Sequence, residues 1–263
     1  MSKGDHFQLE GEVTLDAFLG GKIMVLQPSS GYRAGLDAVV LAATVAATEP
    51  LRVLDLGAGV GTVGLCIAAR LPKTEVVLLE REPALAALAQ QNIARNGMAE
   101  RVSVITADLN LPADSLGLAP EGFDHILANP PYQIEGNGNA SPDGLKARSH
   151  AMPAGRLECW VRVMARLTKP GGTAAMIHRA DALGEILMAF KGRFGGVIVL
   201  PLHPRPDEAA VRVIVRGIKG SRAPLAVMPG LVLHMPDGHG FTPLLQAILR
   251  DGQALSLKMS STA

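Results

Sequence analysis

The chain has 263 residues, of which 48% are apolar and 19% are charged, ordinary values for a folded protein with a sizeable core. Its formal net charge of +1 excludes a globally basic surface, so a nucleic acid would have to bind a local patch. The chain shows no apolar signal-peptide core and no stretch near the roughly 20 apolar residues of a membrane span, so we expect a cytoplasmic protein without membrane contact.

The two cysteines predict neither a disulfide nor a metal site. Cys66 and Cys159 are isolated, lie in apolar segments with helical character, and do not have the spacing of zinc ligands. We therefore expect two buried free thiols in a reducing compartment, and no bound metal.

The N-terminal part of the chain predicts a β-hairpin followed by a helix. Residues 12–27 form two strand-like runs on either side of Gly20-Gly21, which is a hairpin signal. After a short loop, residues 36–47 have the pattern of a helix. Arg33 and Asp37 lie at this junction and are candidates for ligand binding. Alternatively, Asp37 only caps the helix or complements its dipole.

A glycine-rich loop follows the first strand of the predicted sheet. Residues 52–57 read as that strand, and a helix is predicted over 62–71. Between them stand three glycines in the spacing G-x-G-x-G: Gly57, Gly59 and Gly61. Glycine lets the backbone approach a ligand closely, and Asp55 can fix the loop by accepting from its N–H groups. The spacing differs from the dinucleotide pattern G-x-G-x-x-G, which argues against a nicotinamide-dependent dehydrogenase.

Two further strands end in acidic residues. The strand over 75–80 ends in Glu80, about twenty residues past the glycine loop, where an acid in nucleotide-binding sheets takes both ribose hydroxyls. A solvated glutamate is the simpler alternative. The strand over 101–108 ends in Asp108, which could accept a hydrogen bond from an adenine amine.

A fourth strand ends in Asn129-Pro130-Pro131-Tyr132. Residues 124–128 read as a buried strand, and the prolines hold the backbone after it in extended geometry. The Asn129 side chain and nearby carbonyls can accept from an –NH2 group, and Tyr132 offers a flat face to a planar ring. The alternative is a plain turn. Because all four strands end in polar groups at one sheet edge, where ligands of open α/β sheets bind, we favour a binding site.

The rest of the chain predicts more sheet and helix. Residues 136–144 have linker composition and are either a linker or a lid. Six basic residues follow and either meet phosphates or form a solvated face: Lys146, Arg148, His150, Arg156, Arg162 and Arg166. The runs 197–202 and 211–218 are joined by too short a loop for a crossover helix, so they should pair antiparallel. A short strand, a turn and a final helix are expected over 231–249.

Taken together, these motifs resemble the successive motifs of class I S-adenosylmethionine-dependent methyltransferases. The matching residues are 53–61, Glu80, Asp108 and the Asn-Pro-Pro-Tyr segment 129–132. That four-residue segment resembles the branch that methylates amino nitrogens of adenine, guanine or glutamine. Residues 31–38, 169–172 and 177–179 are in addition similar to the bacterial tRNA(Val) adenine-N6 methyltransferases.

The resemblance implies a fold and a set of residue roles. The fold would be Rossmann-like α/β, a seven-stranded mixed sheet in the order 3-2-1-4-5-7-6 with strand 7 antiparallel, helices on both faces and a small N-terminal hairpin. The cofactor would be S-adenosylmethionine. Its methionine and ribose would lie at Gly57, Gly59 and Gly61, its ribose hydroxyls at Glu80, and its adenine at Asp108 and Leu109. Its methionine end would lie near Asp55 and either Arg33 or Asp37, with Asn129 next to the methyl group.

We expect one methyltransferase domain over 1–263, with a hairpin and helix over 1–50, a catalytic core over 51–220 and an extension over 221–263. The expected reaction is methylation of the adenine N6 amine in tRNA or another structured RNA, with Asn129, Pro130 and Tyr132 as catalytic residues. Methylation of glutamine N5 in proteins, O-methylation and small-molecule methylation are the alternatives, along with a non-catalytic scaffold. The oligomeric state is left open.

Overall fold

The computed structural model describes residues 12–46, 51–111, 113–134, 151–152 and 157–257. The chain begins with the predicted hairpin, in which β1 (Val13–Phe18) pairs antiparallel with β2 (Ile23–Pro28). A 3-10 turn over Leu19–Gly21 joins them, and Gly20 has a positive φ of 66° there, a backbone conformation that glycine adopts readily.

The central sheet contains nine of the described strands. Those that follow β2 in the chain and belong to it are β3 (Arg52–Leu56), β4 (Glu75–Glu80), β5 (Val102–Thr106) and β6 (Phe123–Ala128). A separate parallel pair comes next, β7 (Gln133–Ile134) with β8 (Ala151–Met152). The central sheet then continues with β9 (Thr168–Arg179), β10 (Phe194–His203), β11 (Arg212–Lys219), β12 (Ala226–Val227) and β13 (Leu231–Val232).

The observed strand order confirms the predicted topology. Across the sheet it is β5, β4, β3, β6, β9, β11, β10, which is the order 3-2-1-4-5-7-6 when the seven main strands are numbered along the chain. The strand β11 is antiparallel to both of its neighbours, whereas β3, β4, β5, β6 and β9 run parallel. The short strands β12 and β13 extend the sheet beyond β10 and were not predicted as part of it.

Helices cover both faces of this sheet. The described α-helices are α1 (Leu36–Ala43), α2 (Thr62–Arg70), α3 (Pro83–Arg95), α4 (Leu157–Leu167), α5 (Leu183–Phe190) and α6 (Pro243–Gln246), the last continued by a π-turn over Ala247–Asp251. One core cluster joins the sheet to α1, α2, α3 and the hairpin. The other joins it to α4 and α5. Apolar runs of parallel strands are expected to be buried on both faces in this way.

Two asparagines, Asn92 in α3 and Asn96 directly after it, attach the hairpin to the rest of the molecule. The Asn92 amide accepts from Leu26 N at 2.7 Å and donates to Leu26 O and to Val60 O. Asn96 forms the corresponding pair with the backbone of Met24. These side chains satisfy backbone groups at an edge of the hairpin that would otherwise lack partners. As a result the loop after β2 is fixed beside the glycine loop.

The helix after this loop is shorter than predicted, and one cysteine is less buried than expected. The helix α1 ends at Ala43 rather than at residue 47, since Thr44 already returns its hydroxyl to Leu41 O and closes the last turn. Cys66 is buried, but Cys159 is only half-buried, so the expectation of two buried thiols was wrong for Cys159. Within the described residues no helix is long and apolar enough to cross a membrane.

Candidate active site

A cavity of about 390 Å³ opens at the carboxyl ends of the parallel strands. This volume is in the usual range for small-molecule sites, and the position is where open α/β sheets bind ligands. Nine of the predicted site residues line it: Arg33, Asp37, Gly57, Glu80, Asp108, Leu109, Asn129, Pro130 and Tyr132. Asp55, Gly59 and Gly61 are not among its lining residues.

The glycine loop is closely packed by two aromatic side chains. A Cβ atom on Gly57 would run into the Trp160 ring, and a Cβ atom on Gly59 would run into the Tyr32 phenol. Both glycines also have positive φ, 71° and 57° respectively, which other residues adopt only with strain. The glycines are therefore required both by the turn and by the aromatic rings that form the wall of the cavity.

Asp55 supports this loop from beneath the cavity. Its carboxylate accepts from Gly64 N at 2.9 Å, in the first turn of α2, whereas its predicted partners were N–H groups of the glycine loop. Asp55 is 1% exposed, and burial raises its pKa to about 7 even though the Gly64 N–H favours the charged form. Asp55 thus fixes the start of α2, directly after the glycine loop.

Glu80 connects the end of β4 to the same loop. One carboxylate oxygen accepts from Gly59 N at 2.7 Å and the other accepts from Glu82 N at 2.8 Å. The residue is 6% exposed, and burial raises its pKa despite these donors. Each oxygen keeps a second lone pair, so the carboxylate, held rigidly at the cavity wall, can still accept from ligand hydroxyls.

Asp108 and its neighbours form the wall next to Glu80. The Asp108 Oδ1 atom accepts from Asn110 N at 2.9 Å and from the Asn110 amide, which closes a turn after β5. Leu109 is buried and gives this wall an apolar surface. A flat ring with an amine at its edge fits between an apolar side chain and a carboxylate of this kind.

The opposite wall carries Asn129 and Tyr132. The Tyr132 hydroxyl lies 2.7 Å from Asn129 Oδ1 and 2.8 Å from Asp37 Oδ2. Arg212, at the start of β11, donates from Nε to Asp37 Oδ2 at 3.0 Å and has its guanidinium carbon 4.6 Å from the centre of the Tyr132 ring. Burial and then the Asp37 charge raise the pKa of Tyr132, so the phenol stays protonated. Asp37 therefore contacts the tyrosine network and does more than cap α1.

His178 buttresses the same segment from β9. Its ring packs edge-to-face against Tyr132 with the ring centres 5.0 Å apart, and it hydrogen-bonds to the Pro131 backbone. Burial lowers the pKa of His178 to about 4, so the imidazole is neutral at pH 7. Because Nδ1 has no partner among the described residues, the bond to Pro131 is made by Nε2–H.

Arg33 lines the cavity, but its charge is engaged elsewhere. Its guanidinium donates to Asp16 at 2.8 Å, to the Thr14 hydroxyl and to Pro28 O, all in or next to the hairpin. This ion pair draws the loop before α1 against the hairpin. Arg33 thus shapes the loop that carries Tyr32 and Asp37.

Four residues of the site were not among those predicted: Tyr32, Trp160, His178 and Arg212. The Tyr32 hydroxyl accepts from Val60 N in the glycine loop, and burial together with the Glu80 charge raises its pKa. Trp160 is the only tryptophan of the chain and stands on an otherwise amphipathic helix, which is a usable signal. His178 lies in the matched segment 177–179 but was not singled out as a site residue, and Arg212 lies in a strand outside the motifs, where sequence spacing gives no signal.

Some predictions concern residues outside the described part of the chain, namely the segment 136–144 and Lys146, Arg148, His150 and Arg156. Arg162 and Arg166 lie on α4, as expected. Within the described ranges, no group of three or more His, Cys, Asp or Glu side chains could hold a metal ion.

Comparison with known proteins agrees with this fold. Residues 33–145 match the family model described as the methyltransferase small domain. A crystal structure of a predicted O-methyltransferase from Agrobacterium tumefaciens superposes with a TM-score of 0.70, at 35% sequence identity over 83% of this chain and 97% of that one. The chain therefore belongs to the class I S-adenosylmethionine-dependent methyltransferases, a class whose methyl donor is S-adenosylmethionine.

Within that class, two curated relatives carry the same printed name, tRNA1(Val) (adenine(37)-N6)-methyltransferase. The relative from Bacteroides thetaiotaomicron is 30% identical over 158 residues, 60% of this chain and 64% of its own length. The relative from Yersinia pestis is 38% identical over 130 residues, 49% of this chain and 51% of its own. The chain thus spans between half and two thirds of the length of these relatives.

Proposed function

We propose that this chain transfers a methyl group from S-adenosylmethionine to the exocyclic N6 amine of adenine in tRNA. The observation that carries the proposal is the position of the Asn129–Tyr132 segment. It lies across one cavity from Glu80 and the glycine loop, with its amide and phenol held in a network of side chains. One wall suits a nucleoside with free hydroxyls, and the other suits an amine on a flat ring.

The residues present fit the cofactor. Glu80 would accept from the ribose hydroxyls, Asp108 from the adenine amine, and Leu109 would pack on the adenine face. The backbone at Gly57, which lines the cavity, would lie along the methionine part. When bound, S-adenosylmethionine supplies a methyl group on a sulfonium, which is a good leaving group without covalent help from the protein.

The remaining task of the protein is to hold and activate the acceptor amine. An adenine amine is a weak nucleophile because its lone pair is delocalised into the ring. Two acceptors on its hydrogens, Asn129 Oδ1 and the Pro130 carbonyl, would favour a pyramidal nitrogen and stabilise positive charge developing on it. Holding the nitrogen about 3 Å from the reacting carbon supplies roughly 7–11 kcal/mol of the barrier reduction, so no strong general base is required.

Tyr132 would bind the target base by stacking, a contact that contributes roughly 1–3 kcal/mol. A base inside a helical stack could not reach the cavity, so it must come from a loop or be flipped out. Support for adenine in tRNA comes from the printed names of the two curated relatives. The printed name of the Agrobacterium structure points instead to a hydroxyl acceptor, which would make no use of two hydrogen-bond acceptors.

The decisive experiment is transfer of labelled methyl to unmodified total tRNA, with protein extract in parallel and nuclease digestion to locate the label. We expect N6-methyladenosine in one tRNA with the native chain and none with Asn129→Ala. Label found in 2′-O-methyl nucleosides would mean that the acceptor is a hydroxyl group and not an amine. Label in protein alone would mean glutamine methylation, and no label with cofactor binding intact would mean a small-molecule acceptor or a scaffold.

A further inference from the structure

We propose that Arg212 and Asp37 form a positioning pair that locks the Tyr132 ring and, through its hydroxyl, turns the Asn129 amide so that Oδ1 faces the acceptor amine. This inference rests on the proposed function, because it concerns the same amine-binding wall. It assigns a role to two residues of which one, Arg212, lies on β11, 175 residues away from Asp37 in the chain.

Tyr132 is fixed by contacts with Arg212, Asp37 and His178. The Arg212 guanidinium covers one face of the ring at 4.6 Å, and Arg212 Nε is bound to Asp37 Oδ2 at 3.0 Å. The same Asp37 oxygen accepts from the Tyr132 hydroxyl at 2.8 Å. The Asp37 carboxylate therefore holds the guanidinium and the phenol together. The His178 ring also packs edge-to-face against the Tyr132 ring, so the phenol has a single orientation.

The Tyr132 hydroxyl has more acceptors near it than protons to donate. A phenol has one proton, yet its oxygen lies 2.8 Å from Asp37 Oδ2 and 2.7 Å from Asn129 Oδ1, and both of these oxygens are acceptors. A carboxylate is the stronger acceptor, so the proton is donated to Asp37. With one proton for two acceptors, we infer that the Asn129 amide is turned end for end from this arrangement, so that Nδ2 donates to the phenol oxygen in place of Oδ1. Since an amide is pseudo-symmetric, the hydrogen-bond network decides which end faces Tyr132.

The orientation of the Asn129 amide decides which group of a substrate can bind to it. With Nδ2 bound to the phenol, Asn129 Oδ1 points to the other side of the amide and can accept from an –NH2 group. The opposite orientation would present N–H donors and would suit a keto oxygen. The pair of Arg212 and Asp37 thus acts through Tyr132 on the selectivity of the site for amines over carbonyl groups.

Arginine suits position 212 better than lysine does. A guanidinium is planar, stacks on an aromatic face and can bind a carboxylate in the same plane. A lysine ammonium could keep the charge near Asp37 but would not lie flat on the ring. Burial alone would lower the pKa of Arg212, but Asp37 reverses this and raises it, so the guanidinium stays charged. Arg212→Lys is therefore the variant that separates geometry from charge.

The first test uses a spectroscopic signature that does not depend on activity. The chain has only two tyrosines, so ¹³C-tyrosine NMR gives two sets of ring signals, and Tyr132→Phe assigns them. We expect Arg212→Lys to shift the Tyr132 signals and Asn129→Ala to shift its Cζ signal, with the Tyr32 signals unchanged. Tyr132 signals that stay in place in both variants would overturn the proposal, whether or not the chain methylates RNA.

The second test is kinetic and compares Arg212→Lys with Tyr132→Phe, which keeps the ring and removes the hydroxyl. Each should lower kcat about 10- to 100-fold, with the Kd for S-adenosylmethionine changed less than about two-fold. The double variant should be little slower than either single one, because both break one chain of contacts. Additive losses, or a fall in cofactor affinity instead of kcat, would contradict a positioning role.

The matched control is Arg179→Lys. Arg179 is the direct cross-strand neighbour of Arg212, on β9, and it pairs with Asp181 at the surface. Arg179 is also an arginine and lies at the same end of the paired strands, but its ion pair does not include Tyr132. We expect this variant to leave the Tyr132 signals unchanged. An equal shift in both variants would show that the Tyr132 spectrum reports a general change of the edge, and would contradict the specific pair.

Discussion

The two walls of the cavity are built in different ways. The wall of Gly57 and Glu80, with Asp55 behind it, is held by bonds from side chains to nearby backbone N–H groups, and both carboxylates are nearly inaccessible to solvent. The wall of Asn129 and Tyr132 is held by contacts between side chains from distant parts of the chain, ending in Arg212. The first is a product of local geometry at strand ends, whereas the second exists only when the whole sheet has assembled.

This difference separates two tasks. A cofactor that is the same for every member of the class can be bound by backbone and by buried carboxylates fixed at the ends of strands. An acceptor amine must be oriented within a few tenths of an ångström, which is the role we give to the cross-linked phenol, amide and guanidinium. Variants on either wall should therefore affect different measured quantities.

Asn129→Ala should produce the largest effect and break the amine-facing wall alone. Loss of one oriented acceptor is expected to lower the rate of methyl transfer about 10²- to 10³-fold, since it acts where charge develops. Single-turnover transfer of labelled methyl measures this rate, and calorimetry measures cofactor affinity, which should change less than about two-fold. A loss of cofactor binding would place Asn129 on the wrong wall.

Glu80→Gln should break the opposite wall. Glutamine has one oxygen and one NH2 group, so one of the two N–H donors from Gly59 and Glu82 would meet another donor in a buried position. We expect cofactor affinity to fall about 10- to 100-fold, in line with the loss of a charge-assisted hydrogen bond. The control is Glu75→Gln at the start of the same strand, whose side chain is 55% exposed and should be tolerated.

Gly57→Ala should show how tightly the cofactor wall is packed. Gly57 and Gly97 both have positive φ, 71° and 65°, but only at Gly57 would the added methyl group meet a side chain, that of Trp160. Gly97→Ala should therefore lower the free energy of unfolding by the conformational strain alone, about 1–2 kcal/mol. Gly57→Ala should cost more in chemical denaturation and also weaken cofactor binding. Equal losses of unfolding free energy in the two variants would mean that the Trp160 ring moves aside for the added methyl group.

Asp55→Asn should have its effect on the pH dependence of stability. The folded-state pKa of Asp55 is raised to about 7, above its ordinary value of 3.8, so the folded chain binds the proton more tightly than the unfolded chain. This contribution to stability is full below about pH 4 and is lost as the pH rises through 7, at up to about 1.4 kcal/mol per pH unit. Asp55→Asn should flatten that slope in urea denaturation between pH 4 and 7.5. An unchanged slope would assign it to other groups.

Much of the fold and of the cofactor wall could be predicted from sequence. Strand ends, a glycine loop and an acid at the end of β4 are local features with a fixed geometric meaning in a parallel sheet. The strand order was expected only from the resemblance to the methyltransferases, whereas the short loop between residues 202 and 211 predicted the antiparallel pair of β10 and β11 by itself. The edge strands β12 and β13 were missed, since two-residue strands have no periodicity to detect.

The amine-facing wall could be predicted only in part. Asn129 and Tyr132 stand next to each other in the sequence, so their motif predicts a pocket. Asp37 reads equally well as a helix cap, and only the structure brings its carboxylate to the phenol. Arg212 is one of many arginines, and its place beside Tyr132 depends on the registration of β11 against β9. Side-chain contacts of this range are set by tertiary packing.

The reversed direction of β11 has a consequence for how the protein is made. Because β11 runs against its neighbours, its first residue, Arg212, reaches the cavity edge, while its last, Lys219, reaches the opposite edge and bonds to Glu121 and Thr168 O. Protein synthesis starts at the N-terminus, so a nascent chain carries the glycine loop and both carboxylates long before Arg212 leaves the ribosome. On the proposed function, a partly made chain would carry the residues that hold the cofactor before it carries the residue that orients the acceptor.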